Sequence, residues 1–254
     1  MNTFMLTLSL GLILCAACNS ASSQHLRIAS RATSYEPGQE NTQTSESILS
    51  EMFDGLLTLD KNWNLRGMGA ERWEIESSGK RYRFFLRKDN FWSDGTPVTA
   101  KDYALGLRFA NRSNSSFFPL NKLRDKNGDI HVEAESEHQL LINMETPYSI
   151  SLSAFSSSLG MPRPSHLLKS DTALWTKLKT KVCNGPMCPS SISKDGITLT
   201  PNPYYRKNAF WKKISFLHYT KDNKALERYR NNEIDLFPYV PARQTIWAKS
   251  RLAG

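Results

Sequence analysis

Two cysteines, Cys183 and Cys188, flank Asn184-Gly185-Pro186-Met187, a run of turn-forming residues. In an oxidising compartment such a pair closes a small disulfide loop. In a reducing one it stays as two thiols. A metal site would need further ligands at short spacing, and His166 and His218 are far off in sequence. The five histidines stand scattered at positions 25, 131, 138, 166 and 218. No G-x-S-x-G, H-E-x-x-H or P-loop occurs in the 254 residues, and Asp94-Gly95 reads as a turn rather than half of a carboxylate dyad. These residues point to no catalytic site, and no cofactor is expected.

The elements that would position these residues follow from pattern. Leu26-Arg27-Ile28-Ala29 is an opening strand, and Ser30 to Thr44 reads as a polar loop. Ser45 to Met52 is a helix with Ser45 as its cap. Leu56, Leu57 and Leu59 open a strand that ends at Asp60-Lys61-Asn62. Trp73 and Ile75 alternate with Arg72, Glu74 and Glu76, the period-two mark of a half-buried strand. Ser77-Ser78-Gly79-Lys80 turns the chain, and Tyr82, Phe84 and Leu86 then share a face opposite Arg81, Arg83 and Arg87, which makes a hairpin. Trp73, Phe84 and Trp92 are assigned to the core. Thr99, with Asp102 three residues on, starts a helix at Ala100 through a variant of the capping box. Its apolar stripe is Tyr103, Leu107 and Ala110. Ile130-His131-Val132 and Leu140-Leu141-Ile142 frame another strand pair.

Composition excludes some classes. With 39% hydrophobic and 22% charged residues the balance is globular. The formal net charge of +9 permits contact with nucleic acid or an anionic membrane. The basic residues, however, are spread along the chain, and neither a basic helix nor a zinc or RNA-binding motif is present. A solvated basic surface, without nucleic acid, accounts for the charge.

The first residues form a separate unit. Met1 to Ala17 carry no charged side chain, and Phe4 to Leu14 form an apolar run too short to span a bilayer. It fits the core of a secretory signal. Cys15-Ala16-Ala17-Cys18 resembles a bacterial lipoprotein cleavage box with Cys18 as the lipidated residue. Cys15 stands where Leu is usual, and the segment lacks an early Lys or Arg. The rival is an ordinary signal peptide cut among Ala17 to Ser23. Asn19 to Gln24 would be a polar tether.

Three ordered passages resemble the extracellular solute-binding proteins of ABC importers, in the family 5 branch that includes oligopeptide- and dipeptide-binding proteins. The first is Phe84-Phe85-Leu86-Arg87 followed by Phe91-Trp92-Ser93-Asp94-Gly95-Thr96-Pro97-Val98-Thr99-Ala100-Lys101-Asp102. The second runs from Val132 through Leu140-Leu141-Ile142 to Thr146-Pro147-Tyr148, then Pro162-Arg163-Pro164-Ser165-His166, which is similar to the family's P-V-P-K-H turn. The third is Asn184-Gly185-Pro186, then Asn202-Pro203-Tyr204-Tyr205, and Ala225-Leu226-Glu227-Arg228-Tyr229 before Glu233-Ile234-Asp235, with Asn232 where Gly is usual.

The resemblance covers about residues 26 to 241. It implies an α/β (mixed α+β) fold, a periplasmic binding protein-like type II lobe with a β-rich insertion, truncated with the second lobe missing. The implied organisation is a lipoprotein signal at 1–17 and a tether at 18–25. The first lobe is built from 26–52 and 146–241, an insertion from 53–145, and a truncated crossover from 242–254. The implied activity is that of the substrate-binding component of a peptide importer. Its ligand is a peptide, its partner an ABC permease, and its place the periplasm or cell envelope, held to the membrane by an N-terminal lipid. By alignment with the family, Asn41-Thr42-Gln43 falls at the extended segment that pairs with the ligand backbone, and Phe117 at a cleft-lining aromatic. The same residues read equally as plain loop polars and core. An alternative role is a surface or interaction module that keeps the lobe fold without delivering a ligand.

Overall fold

The computed structural model describes residues 24–32, 34–38, 43–112, 123–147, 151–170 and 172–237. Among these, two four-stranded sheets and a small hairpin carry the β structure. The first sheet has the order β1 (His25–Ser30), β10 (Lys213–His218), β9 (Gly196–Pro201), β8 (Met187–Ser193). β1 runs parallel to β10, and the other neighbours are antiparallel. Leu236 extends the sheet beyond β1, its N–H donating to the Arg27 carbonyl and its own carbonyl accepting from Ala29.

The second sheet is antiparallel throughout, in the order β4 (Ala70–Glu76), β5 (Arg81–Leu86), β7 (Gln139–Asn143), β6 (His131–Ser136). β5 is central, and its alternation is complete: Tyr82, Phe84 and Leu86 are buried. β4 is an edge. Trp73 and Ile75 face the same side as their partners Phe84 and Tyr82. Trp73 is only partly buried, and Ile75 is 52% exposed. The expected core role of Trp73 is therefore reduced to packing at the rim, because an edge strand has a neighbour on one side only. The outer face is a ladder of opposite charges. Arg83 pairs with Glu76 at 3.0 Å and with Glu135, Arg72 pairs with Glu74, and Arg81 donates to Asn143 at 3.1 Å. The basic run of β5 is thus balanced locally rather than left as a bare positive surface. The turn between β4 and β5 holds Ser77, Ser78 and Gly79 with φ of 51°, 54° and 88°.

The hairpin of β2 (Leu57–Leu59) and β3 (Leu65–Gly67) precedes β4. Helix α1 (Gln43–Met52) starts two residues before Ser45, which is buried inside it rather than capping it. Its stripe Ile48, Leu49 and Met52 is buried as its spacing requires. Glu46 from the first turn accepts from Ser158 N–H at 3.0 Å and from the Ser158 hydroxyl at 2.5 Å. Helix α2 (Ala100–Arg112) packs on β6 and β7, and its stripe Tyr103, Leu107 and Ala110 is buried. Asp102 accepts from Thr99 N–H at 2.7 Å, closing the capping box. Its other oxygen accepts from Ser165 N–H at 2.8 Å and the Ser165 hydroxyl at 2.7 Å, so the same carboxylate ties the 162–168 turn to the helix start. A short helix, α3 (Ser151–Ala154), and α4 (Asp222–Arg230) follow among the described residues. Asn232, after α4, has φ 56°, the left-handed helix end that Asn tolerates where Gly is usual.

One apolar core joins α1, α2 and the inner faces of both sheets. A smaller cluster of Ala29, Tyr219, Ala225, Leu226, Ile234 and Phe237 seats α4.

Candidate functional site

Of the residues expected to line a ligand site, Asn41, Thr42 and Phe117 lie outside the described residues. Gln43 is the first residue of α1. The structure describes what precedes and follows them. The approach to Asn41 is Glu36-Pro37-Gly38. The Glu36 carboxylate is buried and accepts from Trp175 N–H at 2.8 Å, Thr176 N–H at 3.1 Å, the Thr176 hydroxyl at 2.9 Å and Arg163 Nη1 at 2.6 Å. Arg163 has no exposed surface. It also donates to the carbonyls of Pro37, at 2.9 Å, and Ala173, and its guanidinium lies 3.5 Å from the Phe109 ring centroid. Burial pulls the Arg163 pKa down, against the opposing pull of Glu36. A buried charge is tolerated only when paired and hydrogen-bonded, and both ends here are.

Gly38 follows at φ +81°. A Cβ there would sit 3.4 Å from both the Gly106 carbonyl and the Phe109 ring, so the chain passes directly over α2. The approach to Phe117 is the end of that same helix. Asn111 donates to the Gly128 carbonyl at 3.1 Å, and Arg124 returns to the Asn111 side chain at 2.6 Å and its carbonyl at 2.9 Å. One flank therefore lies close to the C-terminal half of α2, where a Cβ on Gly38 would come within 3.4 Å of Phe109 and 3.6 Å of Ala110, and the other begins where α2 ends at Arg112.

A second buried network joins the motif phrases themselves. The Asp54 main-chain N–H donates to Asn184 Oδ1 at 3.1 Å, and its carbonyl accepts from Asn184 Nδ2 at 3.2 Å and the Tyr103 hydroxyl at 3.1 Å. The fully buried Asp54 carboxylate accepts from Arg206 at 2.5 Å and from the Tyr205 hydroxyl at 3.3 Å. Burial raises the Asp54 pKa, and Arg206 and Tyr205 oppose that. Burial and the Asp54 charge push Tyr205 up to about 12. This is a structural joint between Phe53-Asp54-Gly55, Asn184-Gly185 and Asn202 to Arg206. Cys183 and Cys188 are joined in a disulfide with Cα atoms 5.8 Å apart. Cys183 and Ser93 are cross-linked by the Ser93 N–H to the Cys183 carbonyl at 2.8 Å and the Cys183 N–H to the Ser93 hydroxyl at 3.3 Å. Among the described residues no group of His, Cys, Asp and Glu is placed to hold a metal.

Sequence reasoning missed both buried ion pairs. Arg163 carried a signal, since it is charged where the related turn has an apolar residue. Glu36 fell within the polar loop of Ser30 to Thr44, and Asp54 carried no pattern of its own.

This architecture is that of type II periplasmic binding proteins. It resembles solved OppA structures from Burkholderia pseudomallei, at 22% identity and a TM-score of 0.78, and from Haemophilus influenzae in complex with RPPGFSPFR, at 24% and 0.79. Each match covers 91% of this chain and 49% of the other, so the likeness is to about half of a two-lobed molecule. The model of the bacterial extracellular solute-binding proteins, family 5 Middle, matches residues 64–251, and the chain belongs to that family. Among curated relatives, a probable deoxycholate-binding periplasmic protein, YgiS of Escherichia coli, is 28% identical over 86% of this chain. The periplasmic oligopeptide-binding protein OppA of Haemophilus influenzae is 25% identical over 91%. The chain spans 44% and 46% of these two, about half the length of the relatives it matches.

Proposed function

We propose that this chain serves as a solute-binding component of an ABC importer, with peptides as its ligands, and that it catalyses no reaction. The observation that carries the reading is the close passage of Gly38 over Phe109 and Ala110 on α2. It supports reading the approaches to Asn41-Thr42-Gln43 and to Phe117 as two parts of one wall. The Glu36–Arg163 pair fixes the approach at Glu36 and Pro37, which would lower the ordering cost of binding. The proposed division keeps residues 26–52 and 146–241 as a lobe and 53–145 as an insertion within it. The similarity to YgiS favours a second ligand class, a bile-salt-like amphiphile, for which Phe117 would offer an apolar face.

An NMR titration of the 254-residue chain separates these readings. A tri- to pentapeptide pool should shift resonances within 36–43 and 109–117, and Asn41→Ala should weaken the response. Shifts with deoxycholate and none with peptides would transfer the site to the second class. No shift with either would favour the alternative of an interaction module. We further propose export and lipidation at Cys18, with the chain in the cell envelope beside its permease. Palmitate should label the wild type and not Cys18→Ser; equal labelling of both would remove the anchor.

A further inference from the structure

The loop before β10 carries a patch that lies outside the candidate ligand residues. Residues 203–213 contain Arg206, Lys207, Lys212 and Lys213 and no acidic residue. Arg206 is turned inward to Asp54, while Lys207, Lys212 and Lys213 are exposed. Phe210 stands between them with 76% of its surface exposed, among the most exposed large apolar side chains of the described residues. It meets Trp211 edge-on, with ring centroids 5.1 Å apart. Trp211 is half-buried against the main core, so the crest is rooted rather than loose. Next to this crest the N-terminal segment enters the fold. The Gln24 carbonyl accepts from both Lys212 N–H, at 2.9 Å, and Lys213 N–H, at 3.0 Å.

We propose that Phe210, with Lys207, Lys212 and Lys213 around it, is a contact for an anionic lipid bilayer, laying the protein on the membrane where its N-terminal segment meets the fold. The proposal rests on the reading of Cys18 as a lipid anchor. Six residues, 19 to 24, separate Cys18 from this patch, a reach of roughly 20 Å at most. A surface held that close to a bilayer meets it constantly. An exposed aromatic ring suits the headgroup boundary, and lysines beside it answer anionic lipid. The anchor restricts the search, and the patch fixes which face of the protein turns to the membrane.

The test uses the full 254-residue chain with vesicles of phosphatidylethanolamine and phosphatidylglycerol, or of phosphatidylcholine alone. It reads flotation together with amide exchange. Expected is slowed exchange within 207–213 on the anionic vesicles only, fading as salt is raised past the range where charges are screened. Phe210→Ser and the double change Lys212→Gln/Lys213→Gln should abolish it, the latter weakening the contact roughly fivefold or more per lysine. Exchange in β8 to β10 should stay unchanged, showing the variants folded. Flotation with no protection of 207–213 would leave the anchor standing and overturn the patch. Equal protection on both vesicle types, or none in either assay, would overturn it as well. Protection that survives Cys18→Ser would support the patch as a contact that holds without the anchor.

Discussion

A carboxylate with no exposed surface must be answered by a positive charge or by a proton. Asp54 is answered by Arg206, and the pair joins turns more than a hundred residues apart in sequence. Removing one partner of such a pair leaves the other buried and uncompensated. Arg206→Met should therefore destabilise the fold by about 3–5 kcal/mol in urea unfolding. Its pH dependence has a definite sign. Burial already raises the Asp54 pKa, and loss of Arg206 raises it further. A carboxyl with a raised folded-state pKa binds its proton more tightly in the folded state. The penalty is then full above the folded pKa and relieved as pH falls toward the unfolded value. The variant's deficit relative to wild type should shrink between neutral pH and about pH 4. A deficit that stays constant over that range would mean Asp54 keeps its charge by another route. Asp54 was not legible in the sequence, because the partner that makes it matter is distant along the chain.

At the scale of elements, much was written in local pattern. The β5 alternation, the Asp102 cap, the α2 stripe and the Asn232 helix end all rest on neighbours within four residues, where sequence periodicity carries the information. The exposure of Ile75 and the half-burial of Trp73 do not, because edge position is set by strand order. The first turn of α1 also carries a contact that local pattern does not show: Glu46 is held by Ser158 from a distant segment. Packing of α2 gives a test. Gly106 lies where a Cβ would run into the Met161 carbonyl, a backbone atom that cannot swing aside. Gly106→Ala would gain helix propensity in isolation. In the fold it should instead cost about 1–3 kcal/mol through overpacking, seen as a lower urea midpoint. The disulfide of Cys183 and Cys188 closes a short loop, with a sequence separation of five. Cys188→Ser should cost at the low end of roughly 2–4 kcal/mol, and a loss near zero would show that the Ser93–Cys183 hydrogen bonds alone hold the turn.

At the scale of the whole molecule, the family and the lobe were legible because three motif phrases stand in order. The candidate wall was placed only by alignment with the family. Asn41 and Phe117 have no pattern of their own, and their role depends on what faces them. In two-lobed binding proteins a ligand is enclosed between lobes that close on a hinge. This chain spans 44% of YgiS and 46% of the Haemophilus OppA, so the 254-residue polypeptide by itself offers the contacts of about half such a molecule. With one wall, water competes for every ligand hydrogen bond, and the net gain per bond falls toward the small value of an exposed exchange. The losses of translational and side-chain freedom on binding are not reduced in proportion. The 254-residue polypeptide should therefore bind free peptides with Kd on the order of millimolar, equivalent to about −4 kcal/mol. Calorimetry with a tri- to pentapeptide pool measures it directly. Micromolar binding weakened by Asn41→Ala or Phe117→Ala would refute the one-wall argument while supporting the site. Micromolar binding indifferent to both would place the ligand elsewhere on the chain.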